Sequence, residues 1–195
     1  MDKTNLQVIR ESFGRVVYSH KTHEKDAEIL NFQTIIIKWI NIVLTTLTSG
    51  TLISTILTNQ IALIYTSAFF SALTLAFTIF QLSFNPEISA ENHRQIAKEL
   101  WFIREKYVNL MADLINEKID NEIIISRRDA LIEQLKMIYK FAPITTTKAY
   151  KKAQKALKIN EELTFSDKEI NQFLPEKLRF EAETKEINKE HNQES

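Results

Sequence analysis

Residues 39–86, WINIVLTTLTSGTLISTILTNQIALIYTSAFFSALTLAFTIFQLSFNP, contain no Asp, Glu, Lys, Arg or His. The stretch is 48 residues long in a chain of 195 that is 26% charged, so an even spread would place about a dozen charges in it. A soluble helix needs a solvated polar face, and here only Thr, Ser, Asn and Gln are on offer. The polar turn Thr58-Asn59-Gln60 divides the stretch into 39–57 and 61–84. A membrane span needs about 20 apolar residues at about 1.5 Å rise each, so both halves qualify. A link this short makes them an antiparallel hairpin. A buried hairpin in a soluble core is disfavoured, because nothing else in the chain could wrap both helices.

Lys21, Lys25 and Lys38 precede the first span; Arg94, Lys98 and Arg104 follow the second; the turn between has no base. By the excess of Lys and Arg on the cytoplasmic side, both ends are expected in the cytoplasm. Lys38 can reach the headgroups beside the interfacial Trp39. A signal peptide is not expected, since the apolar run starts after a charged helical segment and is too long for one.

The overall balance of 25 basic and 25 acidic side chains argues against a globally basic nucleic-acid binder. With no cysteine, disulfide frameworks, zinc knuckles and Cys nucleophiles are excluded. Gly14 and Gly50 are the only glycines, so glycine-rich phosphate loops are excluded too. No metal set, paired carboxylate motif or nucleophile supports an enzyme, and no cofactor is expected.

In the second span Ser67, Ser71, Thr74, Thr78, Gln81 and Asn85 recur at spacings of 4, 3, 4, 3 and 4, which puts them on one face. Asn41, Thr45, Thr48, Thr55 and Asn59 form a looser echo in the first. Two readings stay open. The stripe packs helix on helix, since Ser and Thr can bond their own backbone. Alternatively Ser67, Ser71, Thr74, Thr78 and Gln81 line a wet pore, which two helices alone cannot enclose and several copies could.

Outside the hairpin the pattern is helical throughout. Ile9, Phe13, Val16, His20, His23, Ala27 and Leu30 follow a 4-3 repeat. The two histidines on that stripe are read first as packed, hydrogen-bonded residues; a pH sensor and, with Glu24, a metal site are the rivals. Ile96, Leu100, Ile103, Tyr107, Leu110 and Leu114 form a second seam. Ser89 is expected to cap the helix that carries it. Residues 121–126 read as a connector, with Ser126 and Asp129 as a capping pair opening a helix to about Lys140. Ala142-Pro143 ends it.

From Gln134 to Asn160 there are seven lysines and no acid. Lys148, Lys151, Lys152, Lys155 and Lys158 share one helical face, opposite Ala149, Ala153 and Ala156. A solvated face partly paired with the acidic tail, lipid headgroups and a phosphate-bearing ligand are the competing readings. Nucleic acid is not expected, for want of interleaved aromatics beyond Tyr150. Ser166 and Glu169 make a capping box with Phe165 and Ile170 as its hydrophobic staple. Leu174-Pro175 closes that helix, and 181–195 is a charged tail.

The run Gly14-Arg15-Val16-Val17-Tyr18-Ser19-His20-Lys21-Thr22-His23-Glu24, just ahead of two spans, resembles the SLATT family. So do Arg127-Arg128-Asp129, Ala142-Pro143, Lys148-Ala149-Tyr150-Lys151-Lys152-Ala153 and Leu163-Thr164-Phe165-Ser166, which are similar to a branch with a helical C-terminal extension sometimes found beside reverse transcriptases. That branch has a basic residue after the proline; here it is Ile144. The resemblance covers roughly residues 6–180. It implies a prokaryotic antiphage effector of the inner membrane, a homo-oligomeric pore or membrane disruptor triggered by a sensor or nucleotide-signalling partner. Arg15, Tyr18, Lys21, Thr22, His23 and Glu24 would couple the cytoplasmic part to the first span. The alternative is a membrane-anchored binding module that recruits an enzyme such as a reverse transcriptase.

The expected fold is therefore all-α: an N-terminal cytoplasmic amphipathic helix (1–38), a two-helix transmembrane hairpin (39–86), a cytoplasmic helical region (87–180) and the tail.

Overall fold

The computed structural model describes residues 3–116 and 119–179; the expected charged tail lies outside them. Among the described residues all regular structure is helical. The chain divides into two compact units at Lys155/Ala156.

In the first unit, α1 (Lys3–Thr58) is one unbroken helix. At about 1.5 Å per residue it extends about 84 Å. The amphipathic segment and the first span are therefore one rod, with no hinge at Lys38. No proline interrupts it, and the isolated Gly14 and Gly50 are too little to break so long a helix. The turn falls where the sequence places it. Asn59 takes a positive φ of 53°, a left-handed conformation that Asn tolerates better than most residues. Helix α2 (Ile61–Ser83) then returns along α1.

Helix α3 (Pro86–Ile115) follows after two residues. The Asn85 side chain caps it by accepting from the Ile88 amide, with Pro86 at the first helical position. Ser89, the expected cap, instead donates its hydroxyl to the Asn85 carbonyl. The expected connector at 121–126 is helical: α4 (Asn121–Phe141) starts at its first residue. The reason is burial, since Ile124 is 2% exposed in the core and holds that turn in the helix.

Helices α1, α3 and α4 meet around Ile9, Val16, Leu100, Ile103, Tyr107, Leu110, Leu114, Ile124 and Leu131. Each such side chain contributes about 1.5–3 kcal/mol on burial, and both sequence seams converge here. Polar clamps fix the register: Lys106 donates to Gln134 at 2.7 Å, Arg127 meets Asp113 at 2.9 Å and Arg128 donates to Asn5 at 2.9 Å.

Two helices are long and apolar enough to cross a membrane, and 0% and 6% of their most apolar windows are buried in the protomer. Trp39, Ile53, Ile56, Tyr65, Phe69, Leu75 and Leu82 all point outward. Such a surface belongs in lipid rather than water.

Helix α5 (Thr147–Lys158) straddles the boundary between the units. In the second, α6 (Asp167–Phe173) opens with the expected capping box of Ser166 and Glu169 and stops before Leu174-Pro175. A 3-10 turn (Glu176–Leu178) follows.

Candidate functional site

Between the core and the membrane, α1 buries an unusual run of polar side chains. His20, Lys21, Thr22, His23 and Asp26 are each no more than 7% exposed, as is His93 on α3. Such groups are stable there only if each finds a partner. Thr22 donates its hydroxyl to the Tyr18 carbonyl at 2.7 Å. Lys21 Nζ meets Glu24 Oε2 at 2.8 Å. His20 Nδ1 lies 2.9 Å from the Ala97 carbonyl, which can only accept, so the proton is on Nδ1. That leaves His20 Nε2 facing Glu24 Oε1 at 3.6 Å.

His23 and His93 join Nδ1 to Nδ1 at 2.9 Å, their rings tilted by 42°. One ring donates and the other accepts. Burial, with the neighbouring His93 adding to it, pushes His23 down to about 4 against an opposing pull from Asp26. Burial lowers His93 too, again with Asp26 opposing. The pair is neutral near pH 7.

Asp26 is 1% exposed. It accepts from the Thr146 amide at 2.9 Å and from the Thr146 hydroxyl at 2.6 Å. The same hydroxyl accepts from the Ala149 amide at 3.1 Å, so Thr146 caps α5. A buried carboxylate on α1 thus sits at the positive end of α5 and anchors its start. Tyr18 and Tyr150 then bring their rings to 6.1 Å. The junction therefore ties α3 and the start of α5 to the rod that enters the membrane.

Of the expected coupling residues, Tyr18, Lys21, Thr22, His23 and Glu24 belong to this junction. Arg15 is the outlier, exposed and paired with Glu11 at 3.0 Å. His93, Asp26 and Thr146 were missed. His93 could have been found, because it lies one heptad before Leu100 on the same seam. Thr146 stands three residues before Ala149, as a cap should. Asp26 carried no local signal. The two histidines of α1 are packed and hydrogen-bonded, as read first. Among the described residues no group of three or more metal-ligating side chains is placed to hold an ion.

Within the hairpin, Ser67 is buried, Ser71, Thr74 and Gln81 are half-buried and Thr78 is exposed. The half-buried face of α1 carries Asn41, Thr48, Thr51 and Thr55. Thr48 and Thr74 bring their hydroxyl oxygens to 3.0 Å. That contact sets an antiparallel register in which Thr55 is level with Ser67, Thr51 with Ser71 and Asn41 with Gln81. Most of the stripe thus faces α1. Its hydroxyls also bond their own helix: Thr48 to the Leu44 carbonyl, Thr74 to Phe70 and Ser67 to Ile64.

On α5, Ala149, Ala153 and Ala156 are 0%, 0% and 2% exposed, whereas all five lysines of the expected basic face are exposed.

Residues 6–169 are matched by the family model described as SMODS and SLOG-associating 2TM effector domain family 4. No curated protein and no solved structure matches the chain.

Proposed function

Because the chain belongs to the SMODS and SLOG-associating two-transmembrane effector domain family, a family of membrane effectors, we propose that it acts in antiphage defence by opening or disrupting the inner membrane once a partner signals infection. The observation that carries this reading is the continuity of α1 from the buried histidine junction into the first span. A rod without a hinge passes any rearrangement of its soluble half directly to the membrane. In this reading both ends of the chain are cytoplasmic, and several copies assemble, since one hairpin encloses no lumen. A sensor or nucleotide-signalling enzyme supplies the trigger. Ser67, Ser71, Thr74, Thr78 and Gln81 form the conducting surface, and the lysines of α5 meet an anionic ligand or partner.

The test is membrane potential, read with a potential-sensitive dye in cells carrying the chain alone or with its genomic neighbour under phage challenge. Depolarisation only under challenge supports a gated effector. Depolarisation on expression alone supports an intrinsic pore restrained by its partner. Intact protection without depolarisation, in cells where insertion is verified, overturns the pore.

One observation favours a second reading, in which the hairpin only anchors a binding module that recruits an enzyme such as a reverse transcriptase. The polar stripe is turned largely inward, as packing alone would have it. Exchange of 39–86 for an unrelated hairpin separates the two: an anchor survives it and a pore does not.

A further inference from the structure

We propose that the groove walled by Tyr18, Tyr107, Tyr139 and Tyr150 is a binding site for a small planar heteroaromatic molecule, uncharged or singly anionic. The proposal goes beyond the pore reading and does not depend on it. The first observation is convergence. Four of the chain's five tyrosines line one recess of about 850 Å³, one each from α1, α3, α4 and α5. Tyr18, Ser19, Tyr139 and Tyr150 also line an adjoining recess of about 390 Å³, together with the loop that carries Pro143. The two form one groove of a size that takes a small ligand. Tyr18 and Tyr150 hold their rings 6.1 Å apart and tilted by 32°. Tyr139 and Tyr150 are exposed, so their rings are open to an aromatic guest. Tyr139 donates its hydroxyl to Ser19 at 2.9 Å, which leaves the Ser19 proton for an acceptor.

The second observation is a pair of features that the free chain does not use. Tyr107 is 0% exposed, yet its hydroxyl makes no well-formed hydrogen bond. Ser12, Arg15 and Tyr139 are its polar neighbours, and all three line the same recess. A buried hydroxyl left unsatisfied is a cost that an entering acceptor removes. Gly14 lines the recess as well. Glycine is a poor residue for a helix interior, and a Cβ built at Gly14 would meet nothing within 4 Å. No neighbour in the chain requires the glycine there. Its effect is to keep the recess wide.

The third observation selects the ligand. Among the residues lining the two recesses Arg15 carries the one formal charge, His23 being neutral near pH 7, and Glu11 already partners Arg15. Such a wall does not hold a polyanion, which excludes nucleic acid and oligophosphates. An extended peptide brings a backbone donor and acceptor at every residue, whereas these walls are mostly helices whose main chain is bonded internally. Lipid is excluded by distance. His23, the lining residue of α1 closest to the bilayer, precedes Trp39 by 16 residues, or about 24 Å along the rod. The headgroup layer is only about 5–8 Å thick, and a tilt of about 20° shortens the rise by only a few per cent. A planar ring with polar groups at its edge matches both the phenol rings and the hydroxyls of Ser12, Ser19 and Tyr107.

The experiment uses the full chain in nanodiscs, labelled with 3-fluorotyrosine and followed by fluorine NMR, with resonances assigned from single Tyr→Phe variants. The probes are adenosine, quinoline and indole-3-acetate; cyclohexanecarboxylate and ATP are the aliphatic and polyanionic controls. At least one heteroaromatic probe shifts Tyr18, Tyr139 and Tyr150 and saturates below about 1 mM. Tyr65, in the second span, stays put, and neither control competes. Gly14→Leu fills the recess and weakens that binding at least about tenfold, while the melting temperature holds or rises. Tyr107→Phe keeps the melting temperature and weakens binding about three- to tenfold. The proposal is overturned if none of the three probes moves the groove tyrosines, or if Gly14→Leu binds as wild type does. An equal shift at Tyr65 would mean partition into the disc, and tighter binding of ATP would mean an anion site; either sinks it. A Gly14→Leu chain that melts lower would show the recess already filled by another part of the protein, which sinks it too. No step reads depolarisation, so failure of the pore reading leaves a separate signature.

Discussion

His23 and His93 hold their Nδ1 atoms 2.9 Å apart across α1 and α3, although 70 residues separate them in the chain. The contact needs one proton between the two nitrogens, and full protonation of both rings breaks it. Burial holds His23 at about 4, below the 6.5 of an unfolded histidine. Between these values the unfolded chain binds more protons than the folded one. The contact's contribution is therefore complete above about pH 6.5 and is lost as pH falls toward 4. For His23 alone the full loss is on the order of 3 kcal/mol. Thermal unfolding of the detergent-solubilised chain should show a lower midpoint at pH 5 than at pH 7.5. His23→Gln, which keeps a hydrogen-bonding amide but cannot charge, should flatten that dependence, and His93→Gln should reduce it only in part, because burial is the larger cause of the His23 depression. An unchanged slope in His23→Gln would remove the pair as its source.

Asp26 carries a different load. Both its oxygens are taken by Thr146, and the second of these bonds continues into the cap of α5. Asp26→Ala takes the charged acceptor away from the Thr146 amide and hydroxyl, on an exposed residue that water can reach, and should cost about 1.5–3 kcal/mol. Thr146→Ala should cost about 1–2 kcal/mol as a lost cap. The two changes should fall short of additive by about 1 kcal/mol or more, because each removes the same bonds. Hydrogen exchange should localise the loss to the first turn of α5. Protection there equal to wild type in Asp26→Ala would show that the alanine face alone holds the helix.

The hairpin was legible because a charge-free stretch of that length has one stable environment, and Asn59 marks its turn. The seam from Leu100 to Leu114 was legible for a similar reason, as period 3.5 needs no knowledge of the partner. The start of α4 was misread, because Ser126 and Asp129 imitate a cap while Ile124, Leu131 and Ile138 already run on one helical face. Asp26 was invisible: its partner is 120 residues away, and nothing near it in sequence implies burial. The stripe on α2 was half legible. Periodicity defined its face, but only the register set by Thr48 and Thr74 shows what that face meets.

The exposure of Thr78 makes it the best single probe of that face. Ser71 and Thr74 are half-buried against α1, so leucine there perturbs the packing of the hairpin as well as any wet surface. Thr78→Leu places an apolar side chain on the open side of the same stripe. If the stripe conducts, Thr78→Leu should lower challenge-induced depolarisation while expression and insertion stay at wild-type levels. If the stripe only packs, Thr78→Leu should be silent and Ser71→Leu with Thr74→Leu should instead lower the melting temperature.

The rung at Thr48 and Thr74 permits a sharper experiment, because the chain has no cysteine of its own. Hydroxyl oxygens at 3.0 Å place the two side chains within reach of a disulfide after modest adjustment. Thr48→Cys with Thr74→Cys should cross-link within one chain under mild oxidation, and resist maleimide labelling until reduced. Ile53→Cys with Leu75→Cys, at two outward-facing positions, should not. If conduction requires the polar faces of the two spans to part, the cross-linked protein should fail to depolarise the membrane and recover on reduction. A cross-linked chain that depolarises like wild type would exclude the interior of the hairpin as the conducting surface, and would leave Thr78 and other exposed hydroxyls of the two spans, Thr45, Thr46, Ser49, Thr66 and Ser83 among them, as polar groups available to line a lumen.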